Sequence, residues 1–303
     1  MDFRQYEKKR VDFFEKNQDE LFNIIRKAQN SLYDSILKFI LELSTDDEGN
    51  LKNTQTNVKS LREINLIVNR FNRERNGKIS SWIIKKIIDL MGLNKSYFDA
   101  MLSVDSSVEA RARRKIMSSL GYDEKAGKLI KGGYLDTLSN GSNVGSEVGL
   151  QINRAIALKM PLSSFQEQFK AVFTTSDKTG LGLLERHYYT RSFDLFQQYD
   201  RAIQREYADD LGLQYAIWNH TTKDTSTTFC VERGGNIYTR DEIESWKTSK
   251  HRGVYKIGYD PITHGHGYNC RSHISWISSE LAEILIKTKG INQYNQVINF
   301  KLQ

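Results

Sequence analysis

Between Asp12 and Leu43 the apolar residues Leu21, Ile24, Ile25, Ala28, Leu32, Ile36, Phe39, Ile40 and Leu43 recur every three or four positions. A strand turns its side chains to alternate faces, whereas a helix returns to one face every three to four residues, so only a helix can use this spacing. The run predicts one amphipathic helix about 45 Å long at about 1.5 Å per residue. The polar run at residues 44–50 ends it, because that run has nothing to bury and contains Gly49.

The same periodicity continues downstream. Leu61, Ile64, Val68 and Phe71 set a second helix that Asn76 and Gly77 are expected to close. Ser80 and Ser81 then cap a third, carrying Ile83, Ile84, Ile87, Ile88 and Met91. A fourth starts near Asp105 and Ser106 and holds Ile116 and Leu120 before Gly121. Residues 121–149 contain seven glycines among serine, asparagine and lysine, which reads as a flexible connector or hinge. Helical spacing resumes through Val148, Ile152, Ala155 and Ile156, stops at Pro161, and restarts at Ser163 with Phe165, Phe169 and Phe173. A long helix follows through Leu184, Tyr188, Leu195, Tyr199, Ile203 and Tyr207 to Gly212. Gln214 to Trp218 and His273 to Ile277 are short apolar runs beside turn residues and read as strands, with a last helical turn or two at Leu281 to Ile286. The fold class is therefore α+β. Residues 1–120 form an N-terminal long-helix bundle or arm, 121–149 a Gly-rich hinge, and 150–303 a mainly helical domain with a small β-sheet.

The chain has 303 residues, enough for two ordinary cores. With 39% hydrophobic and 27% charged residues it has the composition of a soluble globular protein. No apolar run approaches the roughly 18 residues a membrane span requires, and the charged N-terminus carries no secretory signal, so a cytosolic site of synthesis and residence is expected. Two cysteines cannot make a disulfide framework. A net charge of +7 and a pI near 9.1 favour a polyanionic neighbour.

Chemistry-bearing residues concentrate between Trp218 and Trp276. Both cysteines, three of the four tryptophans and five of the six histidines lie there. A long helix leads to a strand ending in Trp218, followed by Asp224, Cys230, Gly234 after Arg233, Pro261, His266, and a closing Asn269, Cys270 and Arg271. This order and spacing resembles the phage Mu F-like family, the minor head (head morphogenesis) proteins of tailed bacteriophages, over about residues 150–278. The resemblance implies a low-copy structural protein of the capsid interior near the portal, assembled in the host cytoplasm. It also implies binding to the portal protein and to major capsid protein or scaffold, contact with double-stranded DNA during head assembly and DNA exit, no membrane, and no catalysis. Residues 1–120 would be the docking arm, and the glycine segment would let the C-terminal domain adopt its own angle against a symmetric partner. The family often ends this motif Cys-Arg-Cys. Here Ser272 stands in the place of the second cysteine, so no role that needs a third cysteine is available.

Read from their chemistry alone, Cys230, His264, His266, Cys270 and His273 offer up to five ligands, and four could make a tetrahedral structural zinc site. The same two cysteines could instead be buried thiols, or could pair as a disulfide. Asp224 lies among serine and threonine and fits a helix cap or turn, with Arg271 available to pair with it. The histidines also admit an HNH-type, metal-dependent nuclease or a toxin-related enzyme. In that reading His264 or His266 is the base, Asn269 orients it and His273 holds the metal. No phosphate-binding glycine loop is present. Two basic stretches could contact DNA phosphates. One contains Arg111, Arg113, Arg114 and Lys115; the other contains Lys247, Lys250, Arg252 and Lys256, with aromatic residues interleaved.

Overall fold

The structure is a computed structural model and describes residues 3–140, 144–174, 181–220, 226–248, 259–267 and 270–289. Three long helices dominate it: α1 (Phe3–Leu41), α2 (Gln55–Leu102) and, further along, α7 (Leu183–Asp210). Between them come α3 (Ser106–Leu120), a two-stranded hairpin of β1 (Tyr122–Asp123) and β2 (Lys128–Leu129), α4 (Tyr134–Asn140), α5 (Val144–Ala157) and α6 (Leu162–Thr174). After α7 come β3 (Tyr215–Asn219), α8 (Thr228–Arg233), β4 (Ile237–Thr239), α9 (Arg240–Ser245), α10 (Pro261–His264), β5 (His273–Ile277) and α11 (Ser279–Lys289). The α+β expectation holds, with helices far outweighing two small antiparallel sheets. Among the described residues no helix is long and apolar enough to cross a membrane.

Three local expectations are corrected. Helix α1 begins well before Asp12, because its buried positions continue back through Phe14, Arg10 and Tyr6. Helix α2 runs for 48 residues straight through Gly77, where a stop was expected. One glycine in a helix interior costs only about 1 kcal/mol relative to alanine, and buried Ile64, Val68, Ile79, Ile83 and Ile87 hold both sides of it in place. Residues 121–149 are not an open connector over their described part. They carry the β1–β2 hairpin, α4 and the start of α5. Gly121 (φ +73°) and Gly133 lie backbone against backbone, and a Cβ on either would come within 2.7 Å of the other's Cα. These two glycines allow close packing rather than freedom.

Contacts divide the chain into two compact units that differ from the expected split at 121–149. One comprises residues 18–84 and 121–191. Its core is helical, with Leu21, Ile25, Leu32 and Ile36 of α1 and Phe165, Phe169 and Phe173 of α6 fully or almost fully buried. Tyr33 lies 6.2 Å from Phe169 and 5.7 Å from Phe173 between ring centroids. The buried Asn57 side chain fastens the α1–α2 connection, accepting from Ser44 N–H at 2.7 Å and donating to the carbonyls of Ser44 and Lys52 at 3.1 and 2.6 Å.

The other unit comprises residues 1–17, 85–120 and 192–303. Its sheet has the order β4-β3-β5, antiparallel throughout, with Ala216 opposite Trp276, Trp218 opposite Ile274 and Asn219 opposite His273. Ile217, Ile237 and Ile277 pack with Ala282 of α11 into one apolar cluster. All five residues of β5 are buried although it is an edge strand.

Candidate functional site

An edge strand exposes a row of backbone donors and acceptors, and burying them without partners is expensive. In β5 these outward groups are taken by side chains. The Arg10 guanidinium donates to Ile274 O at 2.9 Å, Tyr97 OH donates to Trp276 O at 2.7 Å, and Trp276 N–H donates to Gln204 Oε1 at 3.3 Å. Arg10 and Asp200, both fully buried, form an ion pair. Asn94 donates to the other Asp200 oxygen at 3.2 Å, while its own carbonyl accepts from Tyr6 OH at 2.9 Å and Gln204 at 2.6 Å. Burial alone would lower the Arg10 pKa, but Asp200, Tyr6 and Glu7 together outweigh it and the guanidinium is held firmly charged. Glu7 completes the network, accepting from Ser275 Oγ at 2.5 Å and meeting His273 Nε2 at 2.6 Å. Burial pushes the Glu7 carboxyl up, while His273 and Arg10 pull it down further, to about 2.

Beside this network lies the motif stretch. Trp218 is fully buried and sits edge-on to Phe229 at 6.0 Å and Trp246 at 5.1 Å, and Tyr238 closes on Trp246 at 5.0 Å. The Arg233 guanidinium lies 3.9 Å from the Phe229 ring centre and 4.7 Å from that of Trp246, within cation–π range. Gly234 follows α8, its N–H donates to Cys230 O at 2.9 Å, and a Cβ there would press on His220 Cβ at 3.2 Å. Pro261 opens α10 at a position where its missing N–H costs nothing. Asp260 caps that turn through Ile262 N–H at 3.2 Å and Thr263 Oγ at 2.8 Å, and it pairs with Arg205.

Cys230 and Cys270 are both buried and free, and each shifts the other's titration. Cys270 Sγ accepts from His266 N–H at 3.2 Å. Cys230 and the nearby Arg201 guanidinium favour the Cys270 thiolate against the effect of burial, so its pKa lies well below that of an ordinary thiol. Cys270, together with burial, raises the Cys230 pKa. Ser272 Oγ lies 2.9 Å from His220 Nδ1, and burial lowers the His220 pKa.

The five proposed zinc ligands separate. His264 Nδ1 accepts from Asp260 N–H at 3.0 Å, His266 packs at 4.9 Å from the Phe229 ring, and His273 is held by Glu7. Among the described residues no three His, Cys, Asp or Glu side chains are grouped to share a metal. The proposed nuclease histidines likewise take separate partners. Arg271 is exposed, and its proposed partner Asp224, like Asn269, Lys250, Arg252 and Lys256, lies outside the described residues. On α3, Arg111 is 3.3 Å from Asp210 and Lys115 pairs with Glu206, so two cations of the first basic stretch already have carboxylate partners. Arg113 is half-buried and Arg114 exposed, while Lys247 lies 3.8 Å from Glu244.

The sequence reading missed Glu7, Arg10, Asn94, Asp200, Arg201 and Gln204. Arg201 is almost fully buried and donates to Thr263 O at 2.8 Å and to Ser272 O, tying α7 to both ends of the α10–β5 connection. The available signal was periodic. Arg10 falls in step with Tyr6 and Phe14, and Asp200 and Gln204 with Phe196 and Tyr207, so polar residues occupy apolar stripes. No protein-family profile, curated protein or solved structure matches this chain.

Proposed function

We propose that this chain is a bacteriophage minor head protein, a low-copy structural component of the capsid interior. It binds the portal, meets major capsid protein or scaffold, and contacts packaged DNA during head assembly and DNA exit. The observation that carries the reading is the order and spacing of Trp218, Asp224, Cys230, Gly234, Pro261, His266, Asn269, Cys270 and Arg271. It is supported by what the described members of that set do. Trp218, Cys230, His266 and Cys270 are packed side chains of one unit, and Pro261 and Gly234 shape its turns. Residues spent on holding a compact module suit a protein that works by docking.

Two experiments test this. Co-expression with the portal protein of the same genome should give a complex that co-elutes on gel filtration, and disrupting the gene should leave heads without infectivity. A chain that ignores the portal but cuts DNA when given a divalent metal would replace this reading with the nuclease one. Cys270→Ser should lower stability or incorporation into heads while abolishing no reaction.

A further inference from the structure

We propose that the cavity between α1 and the start of α7 is a binding site for a small zwitterion, an α-amino acid with an apolar side chain. The cavity measures about 370 Å³ and is lined by Asp19, Phe22, Asn23 and Arg26 of α1 and by Leu181 and Glu185. That volume falls within the range of about 300–1,000 Å³ typical of sites that enclose small ligands. All six residues belong to one compact unit, that of residues 18–84 and 121–191. The four from α1 stand at positions i, i+3, i+4 and i+7, so they share one helical face. Asp19, Asn23 and Arg26 are exposed, so a solute can reach them. The site is independent of any role in a virion.

The polar groups of this cavity are of both signs. Arg26 Nε donates to Glu185 Oε1 at 2.8 Å, but both Nη nitrogens lack a hydrogen-bond partner among the described residues, as do the Asp19 carboxylate and the Asn23 amide. Asp19 and Arg26 form no ion pair with each other. They stand about 10 Å apart along the helix at about 1.5 Å per residue, and the lean of helical side chains toward the N-terminus brings the longer arginine back toward the aspartate. One rigid helix thus holds an anion and the donor edge of a cation on either side of a gap, with Phe22 and Leu181 as its apolar wall. A zwitterion satisfies both. Its ammonium donates to Asp19, and its carboxylate accepts from the Nη edge of Arg26, a pairing that guanidinium geometry favours. A plain amine would set a cation against Arg26, and a plain carboxylate would set an anion against Asp19. The far wall is fixed before a ligand arrives. Glu185 is 4% exposed, its Oε2 accepts from Gly182 N–H at 3.0 Å, and a Cβ on Gly182 would come within 2.0 Å of both Gln29 Nε2 and Phe173 O. Gln29 Oε1 in turn accepts from Leu184 N–H at 2.7 Å. The guanidinium that meets the ligand is therefore anchored on a carboxylate already held in place.

Isothermal titration calorimetry of the full-length chain tests this with L-leucine as the probe. Isoamylamine and isocaproate, which are leucine without its carboxylate and without its ammonium, are titrated beside it. The expected result is a single leucine per chain at millimolar or tighter affinity, with each analogue weaker by about tenfold or more, the size of one lost charge-assisted contact. Asp19→Asn, a change at an exposed position, should weaken leucine by about tenfold or more and leave the melting temperature of the ligand-free protein unchanged. Arg26→Gln should weaken leucine to a similar degree. If that variant fails to fold because Glu185 loses its cation, Asp19→Asn and the two analogues still decide the matter. No binding of leucine, methionine or phenylalanine would overturn the proposal. So would leucine binding that Asp19→Asn leaves intact, or either analogue binding as tightly as leucine.

Discussion

Arg10 is a fully buried cation whose balance depends on Asp200 and Glu7. Removing one member of such a pair leaves the other charge unpaired in a dry interior, which typically costs about 3–5 kcal/mol, whereas replacing both by apolar groups costs far less. Arg10→Ala is therefore expected to lower unfolding stability by about 3–5 kcal/mol. Arg10→Met combined with Asp200→Leu should be less damaging than the two single changes added together. Urea midpoints of the four proteins give the comparison, and strictly additive losses would show that the two residues are not coupled. Glu7 adds a pH dependence. Its folded pKa of about 2 lies below the ordinary 4.5, so its contribution is complete above pH 4.5 and is lost as pH falls toward 2. Wild type should lose up to about 3 kcal/mol more than Glu7→Gln across that window, read from urea midpoints at each pH. Equal losses would mean that Glu7 is not held ionised by His273 and Arg10. These residues were hard to read in advance because apolar periodicity, the signal that marks a core, passes over an arginine or aspartate standing in the stripe. The cysteines and Trp218 were legible because their types are rare and tend to be buried.

At the scale of elements, glycine divides into two kinds that sequence alone treats as one. Gly77 sits inside α2 with open space where a side chain would go, whereas Gly133 touches backbone. Gly77→Ala should raise stability by about 0.5–1 kcal/mol through helix propensity and lower unfolded-state entropy. Gly133→Ala should lower it, because an added Cβ would stand 2.7 Å from Gly121 Cα. Thermal unfolding of both variants checks this, and a destabilised Gly77→Ala would indicate a break at Asn76 and Gly77 instead of a continuous helix. The strand at His273–Ile277 and the helix ending before Gly212 were legible, since a short apolar run beside turns and a long helical stripe leave few alternatives. The hairpin at residues 122–129 was not. Its glycines serve a tertiary contact, and composition cannot separate that use from flexibility.

Across the whole molecule, the location of a charge matters less than whether it is already paired. The +7 excess led to α3 as a DNA contact, yet Arg111 and Lys115 have carboxylate partners. On α2, Lys59, Arg62, Arg70 and Arg73 are exposed and fall within one side of the helix over about 21 Å, at about 1.5 Å per residue. None of the four has an ion-pair partner among the described residues, although Glu63 and Glu74 are exposed at the edge of the same face. Arginine matches phosphate geometry well, and every phosphate neutralised releases counterions, so log K falls with log salt by about 0.9 per contact. If the chain holds duplex DNA, changing Arg62, Arg70 and Arg73 together to Ala should reduce the salt slope by about 2 to 3. Changing Arg111, Arg113 and Arg114 together should reduce it by less than that, because the Arg111–Asp210 ion pair competes with one of the phosphate contacts. Fluorescence anisotropy with a random-sequence duplex across a salt series measures both. A larger loss from α3 than from α2 would return the DNA contact to α3, and an unchanged slope in both variants would remove DNA from the surfaces of these two helices.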